Sequence, residues 1–248
     1  LKIVLARSSI PGFFVTGTDT DVGKTVIAAA IARHLRVQRL RVGVCKPVAT
    51  GCPRRREGLV SEDAELLAHH ADSPFPLDVI CPVRYAEPVA PAVAAGRSGE
   101  PLDWAAVGRS LATISQESDV MIVEGAGGVL VPIDDRYSML DLMAALALPA
   151  IIVARASLGT INHTLLTVRA LRSANVPIAG IIINRYPGEN ASVAEETAPS
   201  VIERWAGVPV LALAPHEPFT PPQLPGGVIS AIDAVDWATL LHRGKPTE

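Results

Sequence analysis

The chain has 248 residues, 49% of them hydrophobic and 19% charged, with a formal net charge of −3. That length suits one α/β domain with a sizeable core, and the balance is that of a folded chain rather than a disordered one. The charge excludes a general basic field for nucleic acid or an anionic membrane, and no apolar run reaches a bilayer span, since the longest, Met143–Ala156, is broken by Pro149 and Arg155.

Residues 1–12 carry neither a long apolar core nor a cleavage signature and read as a lead-in to the first strand. Phe13–Thr16 is a predicted strand, followed by a helix from Lys24 to about Arg36 and a second strand at Arg41–Cys45. Glu62–His70 has helical spacing. Asp103–Gln116 is a further helix with Asp103 as its cap. Val120–Val123 is a strand that runs into Glu124-Gly125-Ala126-Gly127-Gly128, and Tyr137–Ala147 is helical. Strands at Ala150–Ala154, Ile178–Ile183 and Val208–Ala212 alternate with helices near Thr160–Ala174 and Ser192–Ala206. Pro215–Gly227 reads as a rigid surface loop before a last helix at Asp233–His242.

Continuous apolar strands alternating with helices predict a three-layer α/β fold, a mostly parallel sheet covered on both faces. Ligands of such sheets bind beyond the carboxyl ends of the strands. Cys45, Cys52 and Cys81 form an odd set without a C-x-x-C pair, so neither a disulfide framework nor a zinc site is indicated. The expected setting is a reducing cytoplasm.

Gly17-Thr18-Asp19-Thr20-Asp21-Val22-Gly23-Lys24-Thr25 lies between a strand and a helix, the context a phosphate-binding loop requires. Its backbone amides and the helix N-terminus would face phosphate oxygens. Lys24 would neutralise the β- and γ-phosphates, and the Thr25 hydroxyl would bind magnesium. Five residues separate Gly17 from Gly23, where four is usual.

Glu124, at a strand end before small residues, is a candidate metal ligand. Asp63 reads either as a second ligand or as a charge at a helix N-terminus. Lys46 reads either as a second cation aimed at the phosphate crevice or as a solvated strand-end lysine. Thr50 is either a substrate contact or a turn hydroxyl. Asn184 is either a reader of adenine or an ordinary turn residue. The helix start at Gly159-Thr160-Ile161-Asn162 could hold a carboxylate on its amides, with His163 beside it structural or solvated. Arg54-Arg55-Arg56 reads as a solvated loop.

Together these segments resemble the dethiobiotin synthetase family. The loop Gly17–Thr25 shares that family's five-residue gap. Lys46-Pro47-Val48-Ala49-Thr50-Gly51, Val123-Glu124-Gly125-Ala126-Gly127-Gly128 and Leu158-Gly159-Thr160-Ile161-Asn162-His163 match its further motifs, in order, and Ala86-Glu87-Pro88 and Asn184 also fit. The resemblance implies a P-loop NTPase fold over the whole chain as one domain and an ATP-dependent cyclo-ligase. It would convert 7,8-diaminononanoate and CO2 to dethiobiotin through a carbamate and a carbamic–phosphoric anhydride.

It implies Lys24 and Lys46 as catalytic residues and Thr25, Asp63 and Glu124 as magnesium ligands. ATP contacts would come from Asp21, Val22, Gly23, Lys24, Thr25, Val26, Asp63, Glu124, Gly125, Ala126, Gly127, Asn184 and Pro215. Substrate contacts would come from Thr20, Lys46, Thr50, Gly159, Thr160, Ile161 and Asn162, the last four reaching across a homodimer. The lead-in and the proline-rich 215–225 segment depart from the pattern. Two rival readings stand beside this one, the first sharing the loop. A partitioning-type nucleotide switch would carry an extra lysine early in the loop, where Thr18–Val22 has none, and a corrinoid amidotransferase would need a glutaminase domain.

Overall fold

The structure, a computed structural model, describes residues 3 and 5–243; residues 1, 2 and 4 of the expected lead-in lie outside it. In chain order the elements are β1 (Gly12–Gly17), α1 (Lys24–Val37), β2 (Val42–Cys45), β3 (Val48–Ala49), β4 (Arg54–Arg55), β5 (Gly58–Leu59), α2 (Glu62–Ala71), α3 (Leu77–Ile80), β6 (Val83–Arg84) and α4 (Pro91–Ser98). They continue with α5 (Trp104–Gln116), β7 (Val120–Gly128), α6 (Met139–Leu146), β8 (Ala150–Arg155), α7 (Thr160–Ser173) and β9 (Ile178–Tyr186). A 3-10 turn at Gly188–Asn190, α8 (Val193–Ala206), β10 (Val210–Pro215), α9 (Gly226–Asp233) and α10 (Trp237–Arg243) complete the chain.

Six strands form one parallel sheet in the order β10-β9-β8-β1-β7-β2. Period-two alternation along each strand divides the core. Phe13, Val15, Val44, Ile122, Ile151, Val153 and Ile182 face a cluster with α1, α2, α9 and α10. Their neighbours Phe14, Cys45, Met121, Val123, Ile152, Ile181 and Ile183 face one with α5, α6, α7 and α8. Both faces are therefore covered, which is why the strands read as unbroken apolar runs. Trp237 locks α10 onto the first cluster: it is buried, meets Phe13 edge-on at 5.5 Å, and its indole donates to the Ile232 carbonyl at 2.8 Å.

Several boundaries differ from the sequence-based expectation. The last strand starts at Val210, because Pro209 has no N–H to donate and its carbonyl accepts from Ile181. The predicted final helix begins at Trp237 rather than Asp233, with Asp236 capping it through the Thr239 amide at 3.1 Å, and a further helix, α9, precedes it. The proline-rich loop is shorter than predicted, since Pro215 ends β10 and Gly226 opens α9. Helix α6 begins at Met139, behind a capping box made by Ser138 and Asp141. The Arg54–Arg56 loop contains the exposed strand of a two-stranded ribbon, in which Arg55 meets Glu65 of α2 at 2.6 Å. Helix α4, unexpected from the sequence, starts with Pro91 in its first turn, where a missing N–H costs nothing. Of the lead-in, Ile3, Leu5 and Ile10 pack against the second cluster.

Candidate active site

Strand β1 sits between β8 and β7, while α1 carries the chain past β7 to β2. The crevice at the carboxyl end of β1 is thus the place where a parallel sheet of this kind holds a ligand. The Gly17–Thr25 loop fills its floor. Several helices in this chain cap their own amides: Ser61, Asp103, Ser138 and Ser192 do so for α2, α5, α6 and α8. Helix α1 does not. It starts from Gly23 in the left-handed region, φ 92°, with no capping side chain and no acidic residue in its first turn. Its leading amides are left for an anion. Helix α7 opens the same way, from Gly159 at φ 95°.

Four polar side chains converge above this loop. Lys46 Nζ donates to Glu124 Oε1 at 2.6 Å and to the Gly125 carbonyl at 3.3 Å, and lies 2.7 Å from Asp63 Oδ2. Thr25 Oγ1 lies 2.9 Å from Asp63 Oδ1 and 2.8 Å from Glu124 Oε1. Lys46 and Glu124 are 3% and 0% exposed; the Asp63 side chain is 43% exposed. Burial works against the Lys46 charge, but Glu124 and Asp63 outweigh it and hold its pKa above the ordinary value. Burial would lift the Asp63 carboxyl too, yet Lys46 keeps it below its usual range. For Glu124 burial prevails over Lys46 and the pKa rises. Lys24 lies beside this group, its Nζ donating to the Asp19 carbonyl at 3.0 Å. Burial and then Lys46 push its pKa down.

These donors suit a hard divalent cation. The Thr25 hydroxyl has one proton, so it satisfies only one of the two carboxylate oxygens it touches. Glu124 Oε2 is buried with no hydrogen-bond partner among the described residues. A magnesium ion commonly takes one or two carboxylates and completes its shell with phosphate oxygens and water, which matches Thr25, Asp63 and Glu124 beside a phosphate loop.

The expected site residues fall into three groups. Lys24, Thr25, Lys46, Asp63, Glu124 and Gly125 form the polar cluster just described. Glu124 is not at a strand end, as the sequence suggested. It lies inside β7, whose pairing with β1 slips between Val15↔Glu124 and Gly17↔Gly128. Gly125, Ala126 and Gly127 stand opposite Thr16 alone, two residues in excess, and bulge beside the loop. Gly127 is at φ 64°, and a Cβ on it would come within 3.6 Å of Thr20 Oγ1. Asp21, at φ 56°, is exposed, Val22 is buried, and Thr50 follows β3.

Asn184 and Pro215 form the second group, on the paired strands β9 and β10, with Pro215 opposite Tyr186. Here too the strand runs further than predicted, to Tyr186, and Asn184 is buried inside it. Its Nδ2 donates to the Val22 carbonyl at 2.9 Å. The third group, Gly159, Thr160, Ile161 and Asn162, opens α7. Among the described residues no hydrogen bond or ion pair joins it to the Lys46 cluster. Thr160 is buried, its hydroxyl without a partner among the described residues, while Asn162 is exposed.

Two features were not anticipated. Arg155, ending β8, meets Asp19 of the loop at 3.0 Å; its place at a carboxyl end beside β1 was the available signal. A cleft of about 730 Å³ opens beside Thr25, Val26 and Asp63, walled by Leu66, His69, Phe219, Pro221 and Pro222. Its proline-rich wall is tied to α2 by a 2.7 Å hydrogen bond between His70 Nε2 and the Pro222 carbonyl. Among the described residues no helix is long and apolar enough to cross a membrane.

The profile of the AAA domain family matches residues 11–223. The ATP-dependent dethiobiotin synthetase BioD of Thermodesulfovibrio yellowstonii is 37% identical over 212 residues, 83% of this chain and 88% of that protein. The protein of the same name from Bacillus subtilis (strain 168) is 42% identical, over 82% of this chain and 87% of its own length. Among solved structures, the cell division ATPase MinD of Pyrococcus furiosus aligns over 94% of this chain and 99% of its own. Its TM-score is 0.53 at 16% identity, a likeness of fold alone.

Proposed function

The chain belongs to the dethiobiotin synthetase family and is an ATP-dependent enzyme of the ligase class, and from that premise we propose how its residues carry the reaction. An amine of 7,8-diaminononanoate adds to CO2 and loses a proton, giving a carbamate. A carbamate oxygen attacks the γ-phosphorus of ATP, ADP leaves, and a carbamic–phosphoric anhydride forms. The second amine attacks its carbonyl carbon and loses a proton, phosphate departs with the bonding electrons, and a cyclic urea remains.

The energetic obstacle is charge. Two unit anions at 4 Å repel by about 4 kcal/mol at an effective dielectric near 20, and both carbamate and γ-phosphate are anionic. Lys24 and Lys46 are the chain's answer, two buried cations converging over the loop amides. Lys24 would hold the β- and γ-phosphates. Lys46 would turn from its carboxylate partners to the oxygens between carbamate and phosphorus, where charge accumulates in the transition state. Thr25, Asp63 and Glu124 would hold a magnesium ion, which when bound screens the triphosphate. Amides of Asp21–Val26 and the bulge Gly125–Gly127 would line the phosphates, with Asn184 and Pro215 beside the base. Thr20 and Thr50 would contact the diamine end.

The carboxylate tail of the substrate needs an anion site, and the uncapped start of α7 offers one. It would be supplied across a homodimer by the partner subunit's Gly159, the partner subunit's Thr160, the partner subunit's Ile161 and the partner subunit's Asn162.

The observation that carries this reading is the 2.6 Å contact of Lys46 with Glu124 beside Thr25 and Lys24. The test is a steady-state assay of phosphate release from ATP with CO2. Release that requires the diamine and yields dethiobiotin supports it. Release indifferent to the diamine, as a nucleotide switch would give, refutes it.

A further inference from the structure

Strands β8 and β9 place Arg155 and Asn184 as registered partners at their carboxyl ends. Both reach back to the phosphate loop, at points three residues apart. Arg155 meets Asp19 at 3.0 Å with both side chains more than two-fifths exposed, so water and salt weaken it. The Asn184 contact is of another kind. Asn184 is 4% exposed, Val22 is fully buried, and the bond from Nδ2 to the Val22 carbonyl is 2.9 Å long. Removing this donor leaves a buried carbonyl without its side-chain partner. The next residue, Gly23, holds the left-handed turn that points the first amides of α1 into the crevice. A Cβ there would collide with the same Nδ2. Asn184 therefore lies in contact with the turn that sets the amide cradle.

We infer that Asn184 is a positioning residue of the phosphate cradle, acting through Val22 and Gly23 on the triphosphate, in addition to any contact it makes with a nucleobase. An amide carries two N–H donors and one carbonyl. One donor is committed to Val22, and the other donor and Oδ1 remain for the edge of a base. A single side chain then links base recognition to loop shape. The inference rests on the ATP site proposed above.

The probe is inorganic tripolyphosphate, which has the phosphates of ATP and no base. Calorimetric titration with magnesium present compares the wild type with Asn184→Ala. Loss of a buried hydrogen bond is expected to weaken tripolyphosphate by roughly tenfold, and ATP by at least as much. An unchanged tripolyphosphate affinity, whether or not ATP binding falls, overturns the inference. Melting temperature checks that the variant is folded. Should Asn184→Ala fail that check, Asn184→Ser, whose shorter side chain cannot span to Val22, is titrated in its place and read the same way. Dethiobiotin formation by the wild type tests the synthetase reading separately, so failure of one is distinguishable from failure of the other.

Discussion

Lys46 and Glu124, 78 residues apart in the chain, meet at 2.6 Å with almost no exposure of either side chain. Such a pair is costly to assemble and costly to break, because either partner left alone is a buried charge. Its position argues for use rather than stability. Lys46→Ala is expected to lower turnover by roughly a hundredfold to a thousandfold, the scale seen when one preorganised donor to a transition state is removed. ATP affinity should move far less. Measured kcat and nucleotide Kd decide it, and an equal loss in both contradicts a transition-state role.

Glu124 Oε2 has no partner among the described residues although it is fully buried. In the site proposed above that oxygen would bind the magnesium ion. Glu124→Gln keeps the shape and removes the charge. The magnesium concentration for half-maximal phosphate release should rise by roughly tenfold or more, since even outer-shell changes cost that much. An unshifted titration would take Glu124 out of the ligand set.

Gly23 and Lys24 show why much of this site was legible in the sequence. A glycine before a lysine, between strand and helix, has few other physical uses, and parallel-sheet topology placed Glu124 and Lys46 near the same crevice. The bulge that carries Glu124 within β7 was not legible, because it depends on how β7 slips against β1. Nor was the commitment of Asn184 to Val22, which lies 162 residues away in sequence. Helix α9 was hidden because its amide cap comes from Glu217, ten residues before Gly227, at 3.0 Å, and not from a residue at the helix start.

His70 fastens the proline-rich wall to α2, and burial, with His69, Arg36 and Arg33 nearby, lowers its pKa despite the Pro222 hydrogen bond. A depressed folded value means that the stability it gives is present above the unfolded value of 6.5 and is lost as pH falls through that value toward the folded one. The wild type should therefore lose melting temperature between pH 7.5 and pH 5.5 more steeply than His70→Ala. At pH 8 the variant should melt about 2–4 °C lower, the equivalent of one buried hydrogen bond of about 1 kcal/mol in a chain of this size. Parallel pH profiles of the two proteins would remove the assignment.

Leu158 is 89% exposed immediately before the uncapped start of α7, and Leu166, two turns along the helix, is 57% exposed. Two large apolar side chains beside an anion-ready helix end are what a subunit contact would use if each site borrowed its carboxylate holder from the other protomer. Leu158→Glu puts a charge into that contact without altering the Lys46 cluster. The variant should sediment as a monomer. It should bind ATP as the wild type does, because every proposed phosphate contact comes from its own chain. The diamine KM should rise, because the carboxylate tail loses its amides. A dimer of unchanged mass, or a monomer with an unchanged diamine KM, would show that the start of α7 does not serve a neighbouring site.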